Sequence, residues 1–341
     1  MRNDTRLKFN EYLSRLAALN HVSAEAVVSK FTADPSVQQT LENKIQESSA
    51  FLSSINTYLV DEQEGEKIGL GVTGPIASTT DTTAAERAPR DVKALDTNGY
   101  RCEQTNYDTF LRYATLDAWA KFPDFQVRLS NAIIQRIALD RIMIGFNGTS
   151  RAATSDIGAN PLLQDVNIGW LQKIRTKAPS RWLKETVAAS GKVTVGGAGD
   201  EYKNLDAVVF DVVNSMVEPW FRDDTKLVAI VGRKLMSDKY FPLVNQNQAA
   251  TETLAKDIII SQKRIGNVAA IQVPYFPDNA VLITRLDNIS IYPQRGTQRR
   301  SVIDNPKRDR IETYQSSNDA FELEDYGCCA FVENIEVAAA V

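Results

Sequence analysis

The chain has 341 residues, 43% of them hydrophobic, with 39 Lys plus Arg against 43 Asp plus Glu for a formal net charge of −4. That length allows two or three packed units, and a near-balanced charge with no long basic arm argues against a dedicated nucleic-acid binder. The single histidine, His21, leaves serine–histidine triads and histidine-rich zinc sites without a candidate, so no catalytic, cofactor-binding or metal-ligating residue is expected.

The opening residues MRNDTRLKFNEYLSRL are polar and charged, which predicts no secretory leader. No apolar run approaches membrane-spanning length, so no membrane partner is expected. Cys102, Cys328 and Cys329 do not make a disulfide framework and point to a reducing compartment. Within residues 1–31, Phe9, Leu13 and Leu16 recur at helical spacing among Arg6, Lys8, Glu11 and Arg15. This is a short amphipathic helix, marginal alone, that needs a partner surface. The stretch SKFTADPSV behind it is small, polar and broken by Pro35; it reads as a linker, with Phe31 and Thr32 accessible to a protease.

A second helical stretch runs from Ser36 to Asn56, with Val37, Leu41, Ile45 and Phe51 among polar residues. From Thr57 the pattern turns extended, Glu64-Gly65-Glu66 reads as a turn, and Lys67 to Val72 reads extended again. Gly74-Pro75 leads into a run rich in Thr, Ala and acid, and Asn98-Gly99 is a hairpin signal. Beyond it Tyr107, Thr109, Leu111 and Tyr113 alternate as a half-buried strand does. Residues 57–113 therefore read as a long two-stranded excursion, which is marginal in isolation and has to lie on another surface, such as a neighbouring copy.

Asp124 to Phe146 contains no proline, and glycine only at Gly145. At 1.5 Å per residue it forms a helix of roughly 33 Å, with apolar residues on more than one side, so it should be gripped from several directions. Arg128, Arg136, Asp140 and Arg141 rule out a bilayer span, and Asn147-Gly148 supplies a left-handed stop. Residues 149–200 are loop-rich, with a short helix around Trp170. Leu205, Val208, Val209, Val212 and Met216 share a helical face that Pro219 closes. Leu227 to Val231 reads as a buried strand and Arg233 to Tyr240 as a helix halted by Pro242. Strands follow at Val268–Val273, Ala280–Thr284 and Ile289–Tyr292, making residues 225–298 a compact α/β unit. In the tail, Cys329, Phe331 and Ile335 alternate with Ala330, Val332 and Asn334.

Gly69-Leu70-Gly71-Val72-Thr73-Gly74 spells the dinucleotide-binding pattern, but Pro75 and the Thr-rich stretch behind it offer no helix N-terminus for a pyrophosphate. The glycines suit a flexible loop better. Adjacent Cys328 and Cys329 point to opposite faces of a strand and cannot easily share a metal. Gln294 to Arg310 is the densest basic cluster, with Arg299, Arg300, Arg308 and Arg310 partly neutralised by Asp304 and Asp309. A solvated face or an intersubunit salt-bridge network fits it better than nucleic acid, though weak, sequence-blind contact with DNA stays open.

Over nearly its full length the sequence resembles the major capsid proteins of tailed bacteriophages with contractile tails, of the peduovirus type. The strings that carry the likeness include TRLKFNEYLSRL, GVTGPIASTTDT, DFQVRLSNAII, IMIGFNGTSRAATSD, NPLLQDVNIGWLQK, VGRKLMSDKYFPLVN, DIIISQKRIGN, VPYFP and NPKRDRIETY. The resemblance implies the α+β Johnson fold shared with herpesvirus shells. Its parts would be a removable, scaffold-interacting segment 1–31, an N-arm 32–56, an E-loop 57–113, a P-domain 114–224 and 299–341 with spine helix 124–146, and an A-domain 225–298. The C-terminal strand would re-enter the P-domain sheet. It further implies a non-enzymatic shell subunit assembling as pentamers and hexamers into the icosahedral virion head, in the host cytoplasm. Its partners would be an internal scaffolding protein and procapsid protease, a portal protein, non-specific packaged DNA and decoration or size-determining proteins. N-terminal trimming would fall near Phe31 and Thr32. Intersubunit contacts are expected at Gly69, Gly71, Gly74, Arg299, Arg300, Arg308 and Arg310. An encapsulin-like compartment protein, or a soluble nucleotide-binding enzyme using the Gly69–Gly74 loop, are the alternatives.

Overall fold

The computed structural model describes residues 1–67, 77–88, 99–119, 122, 125–244 and 263–338. Its helices are α1 (Asn3–Leu19), α2 (Pro35–Glu47), α3 (Ala50–Ser54), α4 (Tyr113–Trp119), α5 (Phe125–Asn147), α6 (Trp170–Lys177), α7 (Leu205–Met216) and α8 (Arg233–Val244). The strands begin with β1 (Phe31–Thr32), β2 (Asn56–Thr57), β3 (Glu64–Gly65), β4 (Tyr100–Arg101), β5 (Glu103–Asn106) and β6 (Thr109–Arg112). Next come β7 (Trp182–Leu183), β8 (Val193–Val195), β9 (Leu227–Val231), β10 (Arg264–Ile265), β11 (Val268–Ile271) and β12 (Val281–Arg285). The last are β13 (Ile289–Pro293), β14 (Arg299–Asn305), β15 (Arg310–Leu323), β16 (Ala330–Val332) and β17 (Ile335–Val337).

Local chemistry sets the helix starts. Asp34 accepts from the Ser36 backbone N–H at 2.9 Å and Pro35 opens α2, while Asn204 accepts from Ala207 N–H at 2.9 Å to start α7. α7 buries Leu205, Val208, Val209 and Val212, the face its spacing predicts. α8 runs on past Pro242 instead of stopping before it.

The fourteen-residue β15 is the centre of one sheet, pairing along its length with β14, β13, β5 and β6. A second sheet has the order β10-β11-β9-β12-β16-β7 and separates two cores. Ile230, Leu282 and Phe331 point to the core around α5 and α6, while Ala229, Val231, Val281, Ile283, Ala330 and Val332 point to the core around α7. Burial on both faces explains why β9 and β12 read as continuous apolar runs. Cys328 and Cys329 also split, one into each core.

Several sequence expectations are corrected here. β13 leaves the 225–298 unit and pairs with β15 and β2 in the first sheet, whereas β16 joins β12 in the second. Apolar pattern locates a strand but not its neighbour. Glu64–Gly65 is not a turn but a strand paired with Tyr100–Arg101, and Tyr113 begins α4 instead of ending β6.

The spine helix α5 is 23 residues long and, among the described residues, is sealed at its C-terminal end alone. Its last turns, Ile137, Ala138 and Arg141 to Phe146, are buried all round, but Val127 in the first turn is 62% exposed. Phe146 sits among Trp170, Phe51 and Phe276, with ring centroids 5.1, 5.5 and 5.1 Å away. Gly145, Gly148 and Gly169 allow this crossing. A Cβ on Gly145 would lie 2.2 Å from the Trp170 ring, one on Gly148 2.1 Å from the Asn167 carbonyl oxygen, and one on Gly169 2.4 Å from the Gly145 carbonyl oxygen. Neither Asn147 nor Gly148 has a positive φ, so the glycine is required for approach and not for a left-handed stop. Gly145→Ala should therefore destabilise the chain by roughly 1–3 kcal/mol through overpacking, read as a lower denaturant midpoint at unchanged m-value.

Candidate assembly surfaces

The two surfaces of interest are organised by buried or half-buried charges on the spine and on β14–β15. Arg141, 2% exposed, donates to Glu42 of α2 at 2.5 and 3.1 Å and to Asp319 of β15 at 3.0 and 3.3 Å. Asp319 also accepts from the Ser317 hydroxyl at 2.9 Å, and its backbone carbonyl accepts from Asn167 at 2.9 Å. Two carboxylates thus face one guanidinium inside the first core. Burial pushes the Asp319 carboxyl above its usual range; Arg141 pulls it down without cancelling that, and Glu42 pushes the same way as burial. Nearby Lys173 of α6 pairs with the buried Glu322, again on β15. In the sequence Arg141 reads only as a charge in an apolar helix, and Glu42 and Asp319 carry no local signal.

The N-terminal segment is docked, not loose. β1 pairs antiparallel with β14, Phe31 opposite Arg300 and Thr32 opposite Arg299. Phe31 is 9% exposed and packs with Leu16, Ala17, Val27, Val302 and Ile311. The linker expectation is corrected accordingly: this bond is not open to a protease while β1 is paired. Polar ties add to the cluster. Arg6 and the Tyr113 hydroxyl both bond the Asp304 carboxylate, the Arg2 backbone N–H donates to Asp117 at 2.9 Å, and Arg300 donates to the Tyr12 hydroxyl at 2.9 Å. Partial burial opposes ionisation of Asp304, but the hydrogen bonds from Tyr113 and Arg6 outweigh it and hold the carboxyl below its usual range. Asp117 is held low by the Arg2 N–H and the Thr5 hydroxyl. His21 is exposed in the turn after α1, at a φ of 54°.

Gly69, Gly71 and Gly74 lie outside the described residues. The basic cluster is divided by its hairpin. Arg299 and Arg300 lie at the start of β14, while Arg308 and Arg310 lie at the far turn, roughly 17 Å along the strand. Arg310 bonds Glu312 at 2.6 Å and covers the Phe110 ring at 4.6 Å, whereas Arg299 and Arg308 are exposed. No described helix is long and apolar enough to cross a membrane.

A solved structure described as the satellite phage P4 procapsid including size determination (Sid) protein contains a chain that matches this one with a TM-score of 0.83. The two are 51% identical, and the match covers 99% of each. The capsid of an empty GTA particle matches with a TM-score of 0.50 at 14% identity, over 85% of this chain and 90% of the other, a likeness of fold alone. The α+β fold is that of the tailed-phage capsid subunit. Sequence relatives narrow it. A protein described as capsid proteins of Escherichia phage P2 is 54% identical over 342 residues, covering 99% of this chain and 96% of that one. The major capsid protein of Serratia phage KSP20 is 44% identical over 345 residues, covering 99% and 98%. The model of the phage major capsid protein, P2 family, matches residues 8–335, and the chain belongs to that family. It is a structural protein of the virion capsid, many copies of which form the procapsid shell. These matches favour neither the compartment-protein reading nor the nucleotide-binding one.

Removing Arg141 strands two buried carboxylates, so Arg141→Met should cost about 3–5 kcal/mol in denaturant unfolding. Asp319→Asn, which keeps the shape and removes the surplus charge, should cost less at pH 7. The lowered Asp304 and Asp117 carboxyls contribute docking energy above their unfolded values and lose it as the pH falls through the folded ones. The N-terminal helix should therefore loosen below about pH 4, and Asp304→Asn should loosen it already at neutral pH. Limited proteolysis, with pepsin in acid and trypsin at pH 7, scored by loss of residues 1–31, measures both.

Proposed function

We propose that the chain assembles as pentamers and hexamers into an icosahedral procapsid around an internal scaffolding protein, and that a procapsid protease then trims it near Phe31–Thr32. DNA enters through a portal and the shell expands. Decoration or size-determining proteins join this inventory of partners. In this reading, 57–113 is the E-loop, laid over a neighbouring copy with Gly69, Gly71 and Gly74 in the contact. Residues 32–56 are the N-arm, 114–224 and 299–341 chiefly the P-domain, and 225–298 chiefly the A-domain, with β13 paired in the first sheet and β16 in the second. Arg299, Arg300, Arg308 and Arg310 serve intersubunit salt bridges, with the exposed Arg299 and Arg308 able to touch packaged DNA weakly.

The observation that supports this best is the unfinished burial of the spine. Val127, Trp119, Phe122 and Phe110 are exposed around its first turns, while its last turns are sealed. Exposed large apolar side chains grouped this way mark an interface. Head-to-tail rings need two different surfaces per subunit, and the spine end and an overlying loop supply them. The antiparallel pair β3–β4 gives that loop a fixed foot. Among the described residues the segment 1–31 is held chiefly by the two-residue strand β1, a small apolar cluster and ion pairs such as Arg6–Asp304, so undocking before cleavage is within reach of a change in the shell.

Co-expression with the scaffolding protein and protease, followed by electron microscopy and intact-mass analysis, tests it. Closed particles of uniform size whose subunits begin at Thr32 are the expected result. Monomers at high concentration would overturn the assembly reading, and mature particles that keep Met1 would overturn the trimming.

A further inference from the structure

The sheet around β15 carries uncompensated charge of opposite sign at two separate places. At one end is the tip of the β14–β15 hairpin, where Pro306–Arg308 makes one turn of 3-10 helix and Asp309 follows at a φ of 49°. The Tyr113 backbone N–H donates to the Asp309 carbonyl at 2.9 Å and ties the tip to the start of α4. Lys307 and Arg308 are exposed on this tip, and Arg112 is exposed beside it on β6, directly opposite Arg310. Such a like-charged cross-strand pair is unfavourable unless an anion lies near. Glu312, two residues along β15, is already taken: it accepts from Arg310 at 2.6 Å, the Tyr314 hydroxyl at 2.7 Å and Asn305 at 3.2 Å. Arg112, Lys307 and Arg308 have no ion-pair partner among the described residues.

The second place is the stretch around β3, where Asp61, Glu62, Glu64 and Glu66 put four carboxylates into six residues. Val60 anchors it by a bridge to Gln294, whose side chain accepts from Asn318 of β15 at 2.9 Å. Asp61 pairs with Arg295 at 3.0 Å and Glu64 with Arg101 at 2.5 Å. Glu62 and Glu66 are exposed and have no ion-pair partner among the described residues. From Asp309 to Asn318 the strand runs roughly 30 Å, about three Debye lengths at ~0.1 M salt. The basic tip and the acidic stretch of one chain therefore cannot neutralise each other.

We infer that the β14–β15 tip of one copy is seated against the Asp61–Glu66 stretch of a neighbouring copy, with Lys307 and Arg308 on Glu62 and Glu66. This rests on the proposed assembly and names the partner of Arg308 within it. Head-to-tail contacts need two unlike surfaces on every subunit, and these two are unlike in charge and fixed to the same strand. Both are braced before they meet, the tip by Tyr113 and the stretch by the β3–β4 pair, so little chain ordering is lost on contact. Single exposed ion pairs are weak, but several closing together steer the approach and reject like-charged registers. Packaged DNA is a poorer match, because two exposed cations cover few phosphates and Asp309 stands among them.

The test uses the full chain co-expressed with its scaffolding partner. Lys307→Glu combined with Arg308→Glu should lower the yield of closed particles about tenfold, and so should Glu62→Lys combined with Glu66→Lys. All four side chains are exposed, so the thermal melt of the unassembled subunit should not move. The fourfold variant, with the charges exchanged between the two surfaces, should return the yield to within about threefold of the unsubstituted chain. Normal yield from either double variant would overturn the inference, as would a fourfold variant no better than the doubles. Normal shells that retain less DNA when the tip is reversed would overturn it in favour of DNA. Carbodiimide treatment of particles built from mixed light and heavy-nitrogen chains gives a second readout. It should join Lys307 of one chain to Glu62 or Glu66 of a chain of the other label; Lys307 joined only to acids elsewhere would overturn the inference. Failure of the unsubstituted chain to form particles at all would count against the assembly reading instead.

Discussion

Arg141 fixes the relation between three parts of the chain that apolar packing alone would leave free to slide. It sits on α5, holds Glu42 of α2 on one side and holds Asp319 in the middle of β15 on the other. Apolar contacts around it are non-directional, and a spine with branched aliphatic residues on several faces can pack in more than one rotation. A guanidinium with two carboxylate partners at 2.5 and 3.0 Å has one satisfactory rotation. Asn167, Ser317 and Lys173 then build outward from the same strand, through Asp319 and Glu322. The cost of taking these charges out of water is offset only while every partner is present, which makes the joint all-or-none.

That joint lies at the sealed end of the spine, next to the Gly145–Trp170 crossing and the ring cluster of Phe51, Phe146 and Phe276. Both sheets converge on it. The first brings Asp319, Phe321 and Leu323 of β15; the second brings Ile230, Leu282 and Phe331. The second sheet also carries the α7 core on its other face, and Arg181, just after α6, bonds the Met216 carbonyl and Glu218 at the end of α7.

Much of this was legible in the sequence where the signal is local. The proline-free length of the spine, the face of α7, the apolar runs of β9 and β12, and the opposite orientations of Cys328 and Cys329 all follow from local pattern. What was not legible depends on partners far away in the chain. Glu42 and Asp319 lie 99 and 178 residues from Arg141, and neither stands in a pattern that separates a buried carboxylate from a solvated one. Phe31–Thr32 reads as linker because two residues beside a proline have no period; only the strand Arg299–Arg300 reveals them as paired. β13 reads as a strand for the same local reason, but its pairing with β15 has no local signal. The basic run 294–310 looked like one patch, and the hairpin folds it into two ends.

The two ends of α5 answer two different demands on one subunit. A shell subunit must reach a definite shape before it meets its neighbours, or ring contacts would form between partly ordered chains and trap them. The sealed end does this within one chain, with Arg141 and the glycine crossing independent of any neighbour. It must also keep apolar surface in reserve, because a chain that buried everything would have nothing left to drive association. The open end leaves such surface, with Val127 exposed, and α1 lies near it, held by β1 and ion pairs such as Arg6–Asp304. Weak, separable ties there and a strong, indivisible one at Arg141 mean that the cover can be lifted without disturbing the joint, which is the property a shell that changes after assembly requires.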